Sequence, residues 1–238
     1  YQGSIMSAFK DQQLCHQLQA LKWFISRIHS LDLLSPELLR TRTRDAEGHL
    51  GLGGERLSAY IHEAGVERKA KLKQQLSKVY RQLEQIDTRA LKSGWKQLDI
   101  QERYGNQLLK TSARHMNDGM LRLMAILSQL ESDQQFLLFD EIENGINPEL
   151  VEFLVDELVK TDRQVMVTTH SPMIINFLED DIAAESVVYL YKTREGFTRS
   201  VRLFDIPSLK EKLQFMGPGE AFIDTDLTRL YEEIQGLQ

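Results

Sequence analysis

Two adjacent carboxylates at the end of an apolar run, followed by a histidine some 30 positions later, carry the chemistry of this sequence. Phe136-Leu137-Leu138-Phe139 leads directly into Asp140-Glu141, and Val165-Met166-Val167-Thr168-Thr169 leads into His170. Such runs predict buried parallel strands. Side chains at the carboxyl ends of parallel strands gather on one sheet edge, where α/β proteins bind their ligands. The first carboxylate there can hold Mg²⁺ through water, and the second is placed to take a proton from an attacking water. The histidine can sense a terminal phosphate. The layout is that of a nucleotide-hydrolysing site.

The elements that must position these groups can be read around them. A helix is predicted over Asp118 to Leu130 and a strand over Phe136 to Asp140. Asn147 reads as a cap and Pro148 as the first residue of a helix ending at Lys160. A strand over 164–168 and a helix after Ser171-Pro172 follow. Ser186–Tyr191 and Thr198–Phe204 read as a hairpin around Arg194-Glu195-Gly196, and a last helix begins near Asp226. Upstream, Leu14, Leu18, Leu21, Ile25, Ile28 and Leu31 recur at helical spacing over 10–31, and Ser35-Pro36-Glu37 looks like a short helix start. Residues 41–54 form a glycine-rich loop. A long helix is expected over 55–87, broken near Gly65, with Leu72, Leu76, Val79, Leu83 and Ile86 as an apolar seam. Residues 93–114 read as a hairpin turning near Tyr104-Gly105-Asn106.

The 238 residues suit one large domain, or one and a half small ones, with 42% hydrophobic and 8% aromatic content giving a real core. A net charge of −6 argues against a protein that coats nucleic acid over its whole surface, though a local basic patch is compatible with it. Cys15 is the only cysteine, so no disulfide framework or cysteine zinc site exists, and a reducing cytoplasm is the expected home. No apolar run approaches the roughly 18 residues of a membrane span, and no signal-peptide pattern opens the chain. Opening on Tyr1 rather than methionine leads us to expect part of a longer or processed product.

The string Asp140-Glu141-Ile142-Glu143-Asn144-Gly145-Ile146-Asn147-Pro148 resembles the Walker B and D-loop segment of ABC-type ATPases that are not transporters. Thr168-Thr169-His170-Ser171-Pro172 resembles their switch-histidine segment. Met116-Asn117-Asp118-Gly119-Met120-Leu121-Arg122 stands where the signature belongs, in a branch whose signature often reads S-D-G-x-x-R. A glycine and a polar cap at a helix N-terminus offer amides to a phosphate. Asn117 replaces the usual serine, and its other reading is a plain helix cap. The transporter signature L-S-G-G-Q is absent, as is any G-x-x-x-x-G-K-[ST] phosphate loop.

The resemblance implies an α/β fold, a parallel sheet flanked by helices as in an ABC-type P-loop ATPase core, with the Walker A lobe lying before residue 1. Residues 1–110 would be a helical insert or arm and the strands leading to the signature. Residues 111–205 would be the C-terminal ATPase lobe, and 206–238 a helical tail. The cofactors implied are ATP and Mg²⁺. Asp140 would hold the metal, Glu141 would polarise the attacking water, and His170 would contact the γ-phosphate. Asn117, Asp118, Gly119 and Arg122 would contribute signature contacts. Asn144 would reach across a dimer, unless it and Asn147 are simple turn and cap residues.

A head-to-tail homodimer or higher oligomer with ATP at its interface is therefore expected, without a membrane partner. The resemblance extends to ATPases of bacterial DNA repair and anti-phage defence, including the overcoming-lysogenization-defect group. The output would be DNA or an effector such as a nuclease. A non-hydrolysing scaffold or sensor is the competing reading. Glu220, Asp224 and Asp226 form an acidic cluster that reads either as a metal site or as caps and dipole partners. Arg68, Lys69, Lys71, Lys73, Lys78 and Arg81 form a basic helix face, open to DNA or merely solvated.

Overall fold

The apolar tetrad Phe136–Phe139 takes the centre of a three-stranded parallel sheet in the computed structural model, which describes residues 8–32 and 35–236. Two compact units are present. The first runs through Asn147 and takes in Lys160–Thr168, and the second takes Pro148–Val159 and the chain from Thr169 onward. These limits follow contacts and do not coincide with positions 110 and 205, drawn from the order of motifs.

The first unit contains helix α1 (His16–Ile25), strand β1 (Ile28–Leu31) and the short helix α2 (Pro36–Leu39). Helices α3 (Leu57–Glu63) and α4 (Gly65–Ser77) precede strands β2 (Leu83–Ala90), β3 (Lys96–Tyr104) and β4 (Gln107–Ser112). Helix α5 (Asp118–Leu130) and strand β5 (Phe136–Phe139) follow. Helix α6 (Pro148–Val159) belongs to the second unit, and strand β6 (Gln164–Val167) completes the first.

In the parallel sheet β5 lies between β1 and β6, with Phe136 beside Ile28 on one side and Gln164 on the other. Leu137 and Phe139 are buried, as a central strand without polar alternation should be. Helix α5 is enclosed all round: every residue from Gly119 to Leu130 is buried, the polar Arg122, Ser128 and Gln129 included. Helices α2 and α4 pack against it. The fold class is thus α/β, a parallel sheet flanked by helices.

A second, antiparallel sheet has the order β2-β3-β4 and turns at Gly105-Asn106 between β3 and β4. Helices α3 and α4 lie against it. Leu98 and Ile100 on β3 are buried, and so are Gln97 and Asp99 on its other side.

Two helical expectations are corrected. Of the run 10–31 only His16–Ile25 is a long helix, and Ile28–Leu31 is the strand that pairs with β5. Four parallel strand pairs and the burial of Leu31 outweigh a helical periodicity whose residues find no core, since α1 buries none of its own. The seam of 55–87 also ends early, at Ser77, with Leu83 and Ile86 in β2. A pleated strand would send residues three apart to opposite faces. The register shift between Leu83 and Gln85 lets both be buried, so a bulged strand carried a helical spacing. The expected break at Gly65 is present, with φ at +74°.

The second unit adds to α6 the 3-10 turn Pro172–Phe177 and helix α7 (Asp180–Ser186). Strands β7 (Val188–Lys192) and β8 (Thr198–Arg202) then form an antiparallel hairpin. Helices α8 (Pro207–Lys212), α9 (Pro218–Ile223) and α10 (Leu227–Gly236) end the described chain. The turn Pro172–Phe177, where the sequence suggested an α-helix, packs against both α6 and α9.

Candidate nucleotide site

The parallel register carries the site. Phe139 sits beside Val167, so the next residues, Asp140 and Thr168, emerge together at the carboxyl edge. The Thr168 hydroxyl donates to Asp140 Oδ1 and accepts the Glu141 N–H at 3.0 Å. The ladder closes above it through Thr168 N to Phe139 O at 2.9 Å and Ile142 N to Thr168 O at 3.3 Å. Asp140 is exposed.

Glu141 has a φ of +45°, the left-handed region that non-glycine residues rarely occupy. Such a conformation costs on the order of 1–3 kcal/mol and persists where surroundings enforce it. Here the enforcing contacts are the Thr168 hydroxyl on its N–H, Asn144 N on its carbonyl at 2.9 Å, and Asn144 Nδ2 on its carboxylate at 3.2 Å. Asn144 thus orients the Glu141 side chain within one chain. Ile142 and Ile146 anchor the loop by burial.

The signature-like segment meets this loop from below. Asn117 caps α5, its Oδ1 accepting Met120 N at 2.7 Å. Asp118 forms an ion pair with Arg40, whose guanidinium also donates to Met116 O at 2.7 Å. A Cβ on Gly119 would stand 3.3 Å from Gly145 O and 3.8 Å from Asn147 N, so a side chain there would push the loop back by a few tenths of an ångström. Gly145, at φ +70°, lies over Arg122, whose Nε would be 2.7 Å from an added Cβ.

Arg122 is 5% exposed, and burial pulls its pKa down while the charges of Asp118 and Asp32 hold it up. It lines, with Asp140 and Glu141, a cavity of about 10 Å³, at the lower limit for one water molecule. The first unit therefore brings together seven of the eight residues singled out from sequence: Asn117, Asp118, Gly119, Arg122, Asp140, Glu141 and Asn144. His170, exposed, belongs to the second unit. There the hydroxyl of Thr169 accepts Ser171 N at 2.9 Å, shaping the turn in which the histidine lies.

Sequence reasoning missed Thr168 and Arg40. Thr168 carries no mark of its own, since its place beside Asp140 comes from the register of the two strands. Nothing local marks Arg40, whose partners lie 76 and 78 positions away. The acidic cluster has structural uses: Glu220 bonds Gly217 N at 3.4 Å, and Asp224 pairs with Lys212 at 3.0 Å. Asp226 accepts Thr228 N and Arg229 N at 2.7 and 3.2 Å, which draw its pKa down. Among the described residues no group of three metal-type side chains could hold an ion by itself. One exposed carboxylate still suits Mg²⁺, which is usually held by one or two carboxylates, waters and substrate phosphates.

A carboxylate pair at the carboxyl edge of a parallel sheet flanked by helices is an arrangement found in P-loop ATPases. Within that class the chain belongs to the family described as "AAA domain, putative AbiEii toxin, Type IV TA system", matched over residues 32–176. For such ATPases nucleotide binding, usually with Mg²⁺, is the rule. Comparison with curated proteins gives no match.

Among solved structures, one concerns the "ATP-driven dimerization and DNA stimulated activation of SMC ATPases". It is 16% identical at a TM-score of 0.46, over 63% of this chain and 92% of that one. An Smc head domain with a coiled coil and joint from Pyrococcus yayanosii is 17% identical at 0.43, over 57% of this chain and 26% of that one. An Smc head domain with an extended coiled coil from Pyrococcus furiosus, bound to the C-terminal domain of ScpA, is 15% identical at 0.38. That match covers 62% of this chain and 37% of the other. No helix among the described residues is long and apolar enough to cross a membrane.

Proposed function

We propose that this chain is the part of an ATP-binding and hydrolysing switch that supplies the signature, the Walker B carboxylates and the switch histidine. In this reading residues 111–205 form the C-terminal ATPase lobe, following the arm region 1–110 and preceding the tail 206–238. The observation that carries it is the arrangement of Asp140 and Glu141 on the Thr168 hydroxyl, with Glu141 held in a strained backbone. Asp140 would hold Mg²⁺, which when bound neutralises charge on the phosphates. Glu141, aimed by Asn144, accepts the proton of the attacking water. His170 contacts the terminal phosphate.

The N-terminus of α5, with Asn117 and Gly119, presents its amides and dipole to the phosphates of a nucleotide held by a second copy. Asp118 and Arg122 fix that helix start. ATP would then close a head-to-tail homodimer, and hydrolysis would open it. The output is DNA repair or anti-phage defence in the cytoplasm, acting through DNA or a nuclease-like effector, as in the overcoming-lysogenization-defect group.

One observation favours a second reading, a non-hydrolysing scaffold. The Asn117 oxygen, where serine is usual, is already engaged by Met120 N. Native mass spectrometry of the full-length Glu141→Gln protein, with and without ATP-Mg²⁺, separates the two. ATP-dependent dimer that disappears on adding Asn117→Ala supports the switch. Unchanged mass and no bound nucleotide would leave the scaffold.

A further inference from the structure

Six positions after His170, Asn176 sits in the turn Pro172–Phe177 of the second unit. Its Oδ1 accepts two backbone N–H groups, Gly219 N at 2.6 Å and Glu220 N at 3.0 Å. Both belong to the first turn of α9, whose amides have no partner within their own helix. The residue at the cap position is Gly217, which has no side-chain acceptor to offer. A side chain from the histidine segment therefore closes a helix more than 40 positions away.

The seat is close on both sides. A Cβ on Gly219 would come within 2.3 Å of Pro172 O and 2.8 Å of Asn176 Oδ1, so no other residue fits without moving the turn. Ile174 and Ile175 on the turn and Ala221 on α9 are buried. The far end of α9 is held in turn, by Lys212 Nζ to Asp224 O at 2.6 Å and to Thr225 Oγ1 at 2.9 Å. Tyr189 and Phe222 meet in a tilted contact, 5.8 Å between ring centroids, which extends the same body to the β7–β8 hairpin.

We propose that Asn176 is a positioning residue for His170: it latches the segment 169–177 onto α9, so that the histidine and the C-terminal helices move as one body. The proposal rests on the reading of His170 as a phosphate contact. The chemistry of the latch is a single oxygen accepting two amides. An aspartate would serve equally, and better beside a helix N-terminus. A leucine of similar size would leave both amides without an acceptor.

Hydrogen–deuterium exchange on the nucleotide-free protein tests the latch, with segments 172–177 and 217–223 as readouts. Asn176→Leu should raise exchange in both together by on the order of tenfold, the worth of two hydrogen bonds, and Asn176→Asp should not. If only one segment responds, or if aspartate behaves as leucine does, the latch is refuted.

The positioning role is read on the full-length protein with ATP-Mg²⁺. Asn176→Leu should lower kcat about tenfold with KM within about twofold, and Asn176→Asp should restore it. An opened latch with unchanged kcat overturns the positioning role. If the wild-type protein neither binds nor hydrolyses ATP, it is the nucleotide reading of His170 that fails, and positioning for it falls too. The nucleotide-free exchange still decides the latch.

Discussion

Thr168 converts the proximity of two strands into a defined pair of carboxylates. It donates to Asp140 and accepts from the Glu141 backbone, so one hydroxyl sets both the Asp140 carboxylate and the strained residue beside it. Thr168→Val keeps the β-branched shape and removes only these bonds. Because the bonds lie at an exposed sheet edge, the fold should lose about 1 kcal/mol, or roughly 2–4 °C in Tm. The ATP-dependent dimerisation proposed above, followed in the Glu141→Gln protein, should weaken on the order of tenfold, the worth of a charge-assisted bond. Calorimetry beside native mass spectrometry measures both, and intact dimerisation would remove Thr168 from the site. The carboxylates themselves were legible because four apolar residues ending abruptly in two charges mark the point where a buried strand meets solvent. Thr168 was hidden because threonine at a strand end also satisfies strand propensity alone.

At the scale of elements, the basic face of α4 acquires partners that no sequence window could show. Arg68 makes two 3.1 Å bonds to Asp133, and Lys71 lies 2.6 Å from Glu131, both at or beyond the end of α5. Lys69 donates to His62 O and Thr88 Oγ1, and burial draws its pKa down. These cations dock the helix before they can serve a ligand. Lys71→Glu should therefore lower Tm by roughly 2–4 °C, about 1 kcal/mol for a reversed pair. The swap with Glu131→Lys should recover most of it. Weaker oligonucleotide binding at unchanged Tm would instead make α4 a ligand surface. The elements from Asp118 to Val167 were readable because their apolar periods are plain, whereas beyond them the turn Pro172–Phe177 was read as an α-helix and α7 was not read at all. Those before Asp118 were misread where a bulge at β2 or a parallel partner 108 positions away, Ile28 on Phe136, overrode local spacing.

For the whole molecule, pH joins residues that the site does not use. Burial lowers the pKa of His29, with the neighbouring His49 adding to it, and lowers that of His62, with Lys96 and Lys69 adding to it. Each prefers to be neutral when folded, so each contributes stability that is present above about pH 6.5 and lost as pH falls below it. On the alkaline side, burial raises Tyr60, and it raises Tyr80, beside Glu102, to about 12. The unfolded phenol titrates near 10. Their contribution is therefore complete below about pH 10 and drains away as pH climbs from about 10 towards 12. All four groups lie in the first unit, so the effect reads on the unfolding of that unit. Thermal unfolding from about pH 5 to 11 should give a plateau between these limits. His29→Gln with His62→Gln should flatten the acid arm alone, and Tyr80→Phe the alkaline arm alone. A plateau edge that stays put in the matching variant would assign the titration to other groups.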